Sequence, residues 1–206
     1  MTPTISPGLI QSQGTPARIF VLDPIKSIAE FQAARDAAFG LLIGRVQGKG
    51  SLPANYDYRP ISPADDLTTA NYATSANWNP DWSIGSASLS ATTGSILSSE
   101  NTILSGVQPQ DRYMVFYGTD VETPGTPVEV GWVFKSGSNI KAVWLLQDIL
   151  GFEHPRAIAR LQPVYGPSDS VAITAAVAAQ APITDVHFTL WAEPLGTTVT
   201  AANLRN

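Results

Sequence analysis

The stretches RYMVFYG (112–118), VEVGWVF (128–134) and IKAVWLL (140–146) decide the fold. Each is a short run rich in β-branched and aromatic residues, the side chains that suit a pleated, half-buried surface. TPGTP (123–127) and SGSN (136–139) separate them, and Pro, Gly and Asn supply the backbone angles that tight turns need. Further runs of the same kind follow at 158–165, 170–177, 186–191 and 197–200, and ARIFVL (17–22) reads as an earlier strand ended by Asp23-Pro24. Regularly punctuated short strands predict a mainly β chain, an antiparallel β-sandwich of jelly-roll-like type. In VHFTL (186–190) the alternation places Val186, Phe188 and Leu190 on the core side and His187 on the other.

One helix is expected before the sandwich. Ser27 with Glu30 makes a capping-box pattern, and Ile28, Phe31, Arg35, Ala38 and Leu42 recur at helical spacing. Gly40 and Gly44 weaken its second half, so residues 39–46 read alternatively as a strand. Gly48-Lys49-Gly50 closes the element. Residues 1–14 carry no charged side chain and read as an extended arm, and 15–50 as a strand and helix on the body. Residues 51–105 read as a long loop-rich excursion and 106–206 as the sandwich body. Between 68 and 99 the single charged residue is Asp81, and Tyr56, Tyr58, Tyr72, Trp78 and Trp82 supply anchors, so the excursion is expected to lie on a surface, that of a neighbouring subunit.

Composition narrows the function. Charged residues make up 14% of the 206-residue chain, against about a quarter in ordinary soluble chains. Such depletion is the signature of surfaces that meet other proteins. Net charge is −5 with no basic run, so nucleic acid and anionic membrane lack their electrostatic footprint. Cysteine is absent, which excludes disulfides, thiolate chemistry and Cys-ligated metals. No segment reaches the roughly 18 apolar residues of a membrane span. The leading segment has no Lys or Arg before its apolar residues and no N-x-Ser/Thr sequon occurs, so the chain is expected to be made and kept, or assembled, inside a cell.

The motifs for chemistry are weak. His154 and His187 stand alone, without the paired spacing of a zinc site. No G-x-S-x-G occurs, Ser138 to Lys141 fits S-x-x-K only at a turn, and GRVQGKGS (44–51) misses the spacing and the hydroxyl of a phosphate loop. Adjacent Asp65 and Asp66 point apart on an extended chain and suit a cap better than a shared site. WNPDW (78–82) is the one cluster with binding character. It can stack on a sugar, anchor a subunit contact or pin the long loop to the body. Trp132, Trp144 and Trp191 lie inside strands and read as core or sheet-face residues.

A low-charge, cysteine-free chain with an uncharged leading segment and a Ser/Thr/Ala/Gly-rich middle resembles the virion proteins of tailed bacteriophages. QPQDRYMVFYG (108–118), WVFKSG (132–137) and QPVYGPSDS (162–170) carry the likeness, which is strongest to capsid decoration, or cement, proteins. The resemblance implies a non-enzymatic protein without cofactor or metal, located on the capsid surface of the virion after assembly in the host cytoplasm. Its partners would be the major capsid protein and its own copies, as a homotrimer or other homo-oligomer, with no nucleic acid and no membrane. Ile5, Leu9 and Ile10 of the arm and Tyr56, Tyr58, Tyr72, Trp78 and Trp82 of the excursion are the candidate interface residues. A neck or tail component is a variant of this reading. The alternatives are a glycan-binding module on a phage tail or cell surface, using Trp78 and Trp82, and an enzyme with a dispersed carboxylate site.

Overall fold

A computed structural model describes residues 19–60, 72–74, 78–79, 82–83, 87–89, 91–92, 96–98, 101–108, 110–120, 129–146, 156–178, 181–183 and 186–195. For 19–21, 72–89, 98, 129 and 181–187 the description is of the backbone. In chain order the elements are β1 (Ile19–Pro24), α1 (Ile28–Gly48), β2 (Tyr56–Pro60), β3 (Tyr72–Thr74), β4 (Trp78–Asn79), β5 (Trp82–Ser83) and β6 (Ala87–Leu89). Then come β7 (Thr102–Val107), β8 (Tyr113–Asp120), β9 (Glu129–Ser136), β10 (Asn139–Leu145) and β11 (Arg156–Ala159). β12 (Val164–Tyr165), β13 (Ser170–Val177), β14 (Ala181–Ile183) and β15 (Val186–Pro194) complete the set.

The strands form a sandwich of two sheets that share β1. One sheet runs β3-β7-β13-β9-β10, the other β11-β8-β15-β2, with β12 also paired to β8. Ile19 to Val21 pair with β10, the one parallel pairing among the described strands, and Leu22 to Pro24 pair antiparallel with β11. β1 thus crosses from one layer to the other, and Asp23-Pro24 extends the strand where the sequence suggested its end. Between the layers lies an aromatic core: Met114 and Phe116 of β8, Trp132 and Phe134 of β9, Trp144 of β10, Tyr165 and Trp191. Phe134 and Trp144 meet with ring centroids 4.4 Å apart and planes tilted by 53°. The expectation of a core role for Trp132, Trp144 and Trp191 is met.

Helix α1 forms a third layer on the outer face of the β8 sheet. Ala34, Ala38, Leu42 and Val46 recur every fourth residue and bury against Tyr113, Val115, Tyr117, Leu190 and Ala192. β8 is therefore covered on both faces, which is why RYMVFYG is a continuous apolar run rather than an alternating one. The same geometry shows which core the core-side residues of β15 meet. Phe188 and Leu190 face the helix, with the Phe188 ring 5.1 Å from Phe31, while Trp191 faces the inter-sheet core.

The helix ends follow from local chemistry. Ser27 Oγ accepts the Glu30 N–H at 3.2 Å, and the Glu30 carboxylate accepts the Lys26 N–H at 2.8 Å, a capping box displaced by one residue. At the other end Gly50 takes φ +78°, its N–H reaches the Gln47 carbonyl and the Ser51 N–H reaches the Val46 carbonyl. This is a Schellman stop that L-residues with a side chain adopt poorly. The helix continues through Gly40 and Gly44, so the alternative strand at 39–46 does not form.

Two sequence expectations change and several fall outside the description. The run 158–165 is not one strand: Ile158 pairs with Gly118 but Val164 with Val115, so the register on β8 jumps by three residues between β11 and β12. Within the expected excursion, β2 and β7 are full members of the two sheets. The shorter pieces also attach to the chain's own body, β3 on β7, β6 on β14 and β5 beside β15. The arm 1–14, Asp65, Asp66, His154 and the expected strand 197–200 lie outside the described residues.

Candidate functional site

The β2 margin of the β8 sheet brings together side chains far apart in sequence. β2 pairs with β15 on one side and, among the described residues, forms the edge of its sheet on the other. Tyr56 and Tyr58, both expected at an interface, are half-buried there. The Tyr56 ring meets Tyr113 at 5.9 Å edge-on, and the Tyr58 ring meets Phe39 of α1 at 4.9 Å while its hydroxyl donates to the Pro53 carbonyl at 3.4 Å. Burial, and secondly the neighbouring Tyr56, pushes the Tyr58 hydroxyl above the ordinary tyrosine range, so it stays a neutral donor. Around them Phe39 is 40% exposed, Leu52 67% and Leu195 60%. The Leu195 N–H donates to the Asn55 carbonyl at 2.8 Å, just before β2. The result is a set of exposed apolar side chains around β2.

On the opposite face of β2, Arg59 binds Glu193 at 3.1 Å, and Arg112 reaches the other oxygen of the same carboxylate at 3.6 Å. The Arg112 guanidinium also lies over the Trp191 ring, 5.4 Å from its centroid. Asp57 sits directly across from Glu193 in the ladder, is exposed, and makes no ion pair among the described residues.

A cleft of about 640 Å³ opens at the N-terminal end of α1. Ile25, Ile28, Phe31 and Phe188 give it an apolar floor, with Lys26, Ser27, Asp120 and Arg156 at its lip. Arg156 and Asp120 are already joined at 2.6 Å, and Ser27 Oγ caps the helix. Such a lining suits the seating of an apolar side chain better than bond-making chemistry. Among the described residues no group of three or more His, Asp or Glu is placed to hold a metal. Among the described residues no helix is long and apolar enough to cross a membrane.

The other expected site residues are not gathered at this edge. Ile5, Leu9 and Ile10 lie outside the described residues. Tyr72 is on β3, whose backbone pairs it with Gly106 in the other sheet. Trp78 and Trp82 lie on the β4–β5 hairpin, where Trp78 pairs with Ser83 and Asn79 with Trp82. The two tryptophans hold register positions of opposite parity. Their side chains, like those of Tyr72 and His187, lie outside the description. Phe39, Leu52, Arg59, Glu193 and Leu195 were not expected at a site. The exposed apolar Leu52 and Leu195 carry a local signal, but only β2–β15 pairing brings Leu195 to β2. Compared with known proteins, the chain matches no family model and no curated protein.

Proposed function

We propose that this chain is a non-enzymatic structural protein of a virion, a capsid decoration protein that binds the outside of a shell and bridges its subunits. The observation that carries the reading is the exposure of Phe39, Leu52 and Leu195 around β2 in a chain with 14% charged residues. Isolated exposed apolar residues are ordinary, whereas several around one strand of a charge-poor protein support a contact surface. The mechanism is additive: each copy buries modest area against neighbouring capsid subunits, and repetition over a symmetric shell multiplies weak contacts. The arm 1–14 would add area at low mass.

Quantitative mass spectrometry of purified virus particles tests the proposal. The expected result is a copy number comparable to that of the capsid subunits. Absence from particles, or a handful of copies, would overturn it. Removing residues 1–14 should leave the sandwich folded and weaken binding to the shell, and equal affinity with and without the arm removes the clamp from the mechanism.

A further inference from the structure

Among the described residues β2 is an edge strand, and its chemistry is complementary to itself. Register and one hydrogen bond fix which groups point outward. Tyr56 pairs with Pro194, so Asn55 lies opposite Leu195, and the Leu195 N–H donates to the Asn55 carbonyl at 2.8 Å. Hydrogen bonding alternates along an antiparallel pair. Asp57 and Arg59 therefore exchange bonds with β15, while the N–H and C=O groups of Tyr58 and the C=O of Tyr56 point away from the sheet; the Tyr56 N–H is bonded to the Pro53 carbonyl. Pro60 falls on the outward parity, where its missing N–H costs the ladder nothing.

We propose that this edge pairs with the β2 edge of a second copy of the chain, antiparallel about a two-fold axis through Tyr58. In that register each Tyr58 exchanges both backbone bonds with its symmetry mate. Asp57 lands opposite the other copy's Arg59, twice by symmetry. The charges explain why this occupant fits. Within one subunit Asp57 faces Glu193 across the ladder, a like-charge pair that is unfavourable. Arg59 and Arg112 both lean on Glu193, leaving Asp57 without a cation among the described residues. A second copy sets its Arg59 opposite Asp57 on the side away from Glu193. Phe39, against Tyr58 at 4.9 Å, extends the contact on the helix side. Pro60 ends the pairing, and an isologous contact closes on itself, so the product is a dimer and not a fibre. Five residues of strand place the interface at the small end, under about 1,200 Å² in total, so the dimer dissociates on dilution.

Sedimentation equilibrium of the full chain over a concentration series reads the association. The expected result is a monomer–dimer equilibrium weakened at least tenfold by Asp57→Lys. That substitution sets two cations opposite each other across the axis yet gives Glu193 a favourable neighbour, so the thermal midpoint should hold or rise. The chain has no cysteine, so Tyr58→Cys introduces a single thiol at the axis, expected to cross-link in covalent dimers under mild oxidant. Val107→Cys, 51% exposed on the other sheet, is the control expected to stay monomeric. A strict monomer at every concentration overturns the proposal, as does an oligomer that Asp57→Lys leaves intact or equal cross-linking at both positions. Particle mass spectrometry addresses the virion reading separately, so either can fail alone.

Discussion

Asp169 closes the turn between β12 and β13 and shows how single groups stabilise this charge-poor chain. Its carboxylate accepts the Gly166 N–H at 2.9 Å and the Lys141 ammonium at 2.9 Å, and Lys141 also donates to the Val164 carbonyl and lies over the Tyr165 ring. The turn needs this support, because Ser168 adopts φ +63°. Burial works against ionisation of Asp169, but the Gly166 amide, Lys141 and more distant Arg45 outweigh it and hold the carboxyl below the usual aspartate range. A carboxyl depressed in the folded state stabilises above its unfolded pKa, and that contribution is lost as pH falls through the folded value. Asp169→Asn should therefore cost about 1 kcal/mol at neutral pH, at the low end for a charge-assisted bond because the group is partly exposed. The cost should shrink toward zero in acid. Urea melts of both proteins from neutral to acid pH check this, and a gap that widens on acidification would contradict it.

At the scale of elements, the two kinds of glycine respond oppositely to a methyl group. Gly44 lies on the solvent side of α1 with nothing within 4 Å of an added Cβ. Gly44→Ala should stabilise by about 0.5–1 kcal/mol, since glycine is the costlier residue in a helix interior. Gly118 sits where β8 meets β11, and a Cβ there would collide with the Ala157 carbonyl oxygen and the Phe188 ring. Gly118→Ala should cost about 1–3 kcal/mol, as overpacked sites do. Denaturant midpoints of the two variants should move in opposite directions, and a shared direction would remove the distinction. The same contrast shows what the sequence could reveal. β8, β9, β10 and β13 were legible because their apolar runs are long and bounded by turn residues. α1 was ambiguous at Gly40 and Gly44, since the Ala34-Ala38-Leu42-Val46 stripe that holds it is made largely of small residues. β2 was hidden because YDYRP carries the charges and the proline of an edge strand. β7 was hidden because TILSGV sits beside a Ser-rich, charge-free stretch. The candidate site was half legible: Tyr56 and Tyr58 stand out as aromatics in a polar stretch, whereas Leu195 and Glu193 reach β2 only through a pairing more than 130 residues away in sequence.

For the whole molecule, the decisive element is the strand that belongs to both layers. β1 gives Ile19 to Val21 to β10 and Leu22 to Pro24 to β11, so neither sheet completes its order without it. Leu22, fully buried, stands at the crossing and belongs to the inter-sheet core with Trp132, Trp144 and Trp191. The helix layer is bound into the same unit because β8 carries Tyr113, Val115 and Tyr117 toward α1 and Met114 and Phe116 toward that core. Loosening the crossing should therefore lower the stability of all three layers together. Leu22→Ala should cost about 2–5 kcal/mol, the range for emptying a buried leucine site. Helix ellipticity, which reports α1, and near-ultraviolet tryptophan ellipticity, which reports the inter-sheet core, should fall at one shared, lower denaturant midpoint. If α1 melted apart from the tryptophan core, β1 and β8 would not couple the layers, and the body would be two weakly joined units rather than the rigid platform that a bridging protein needs.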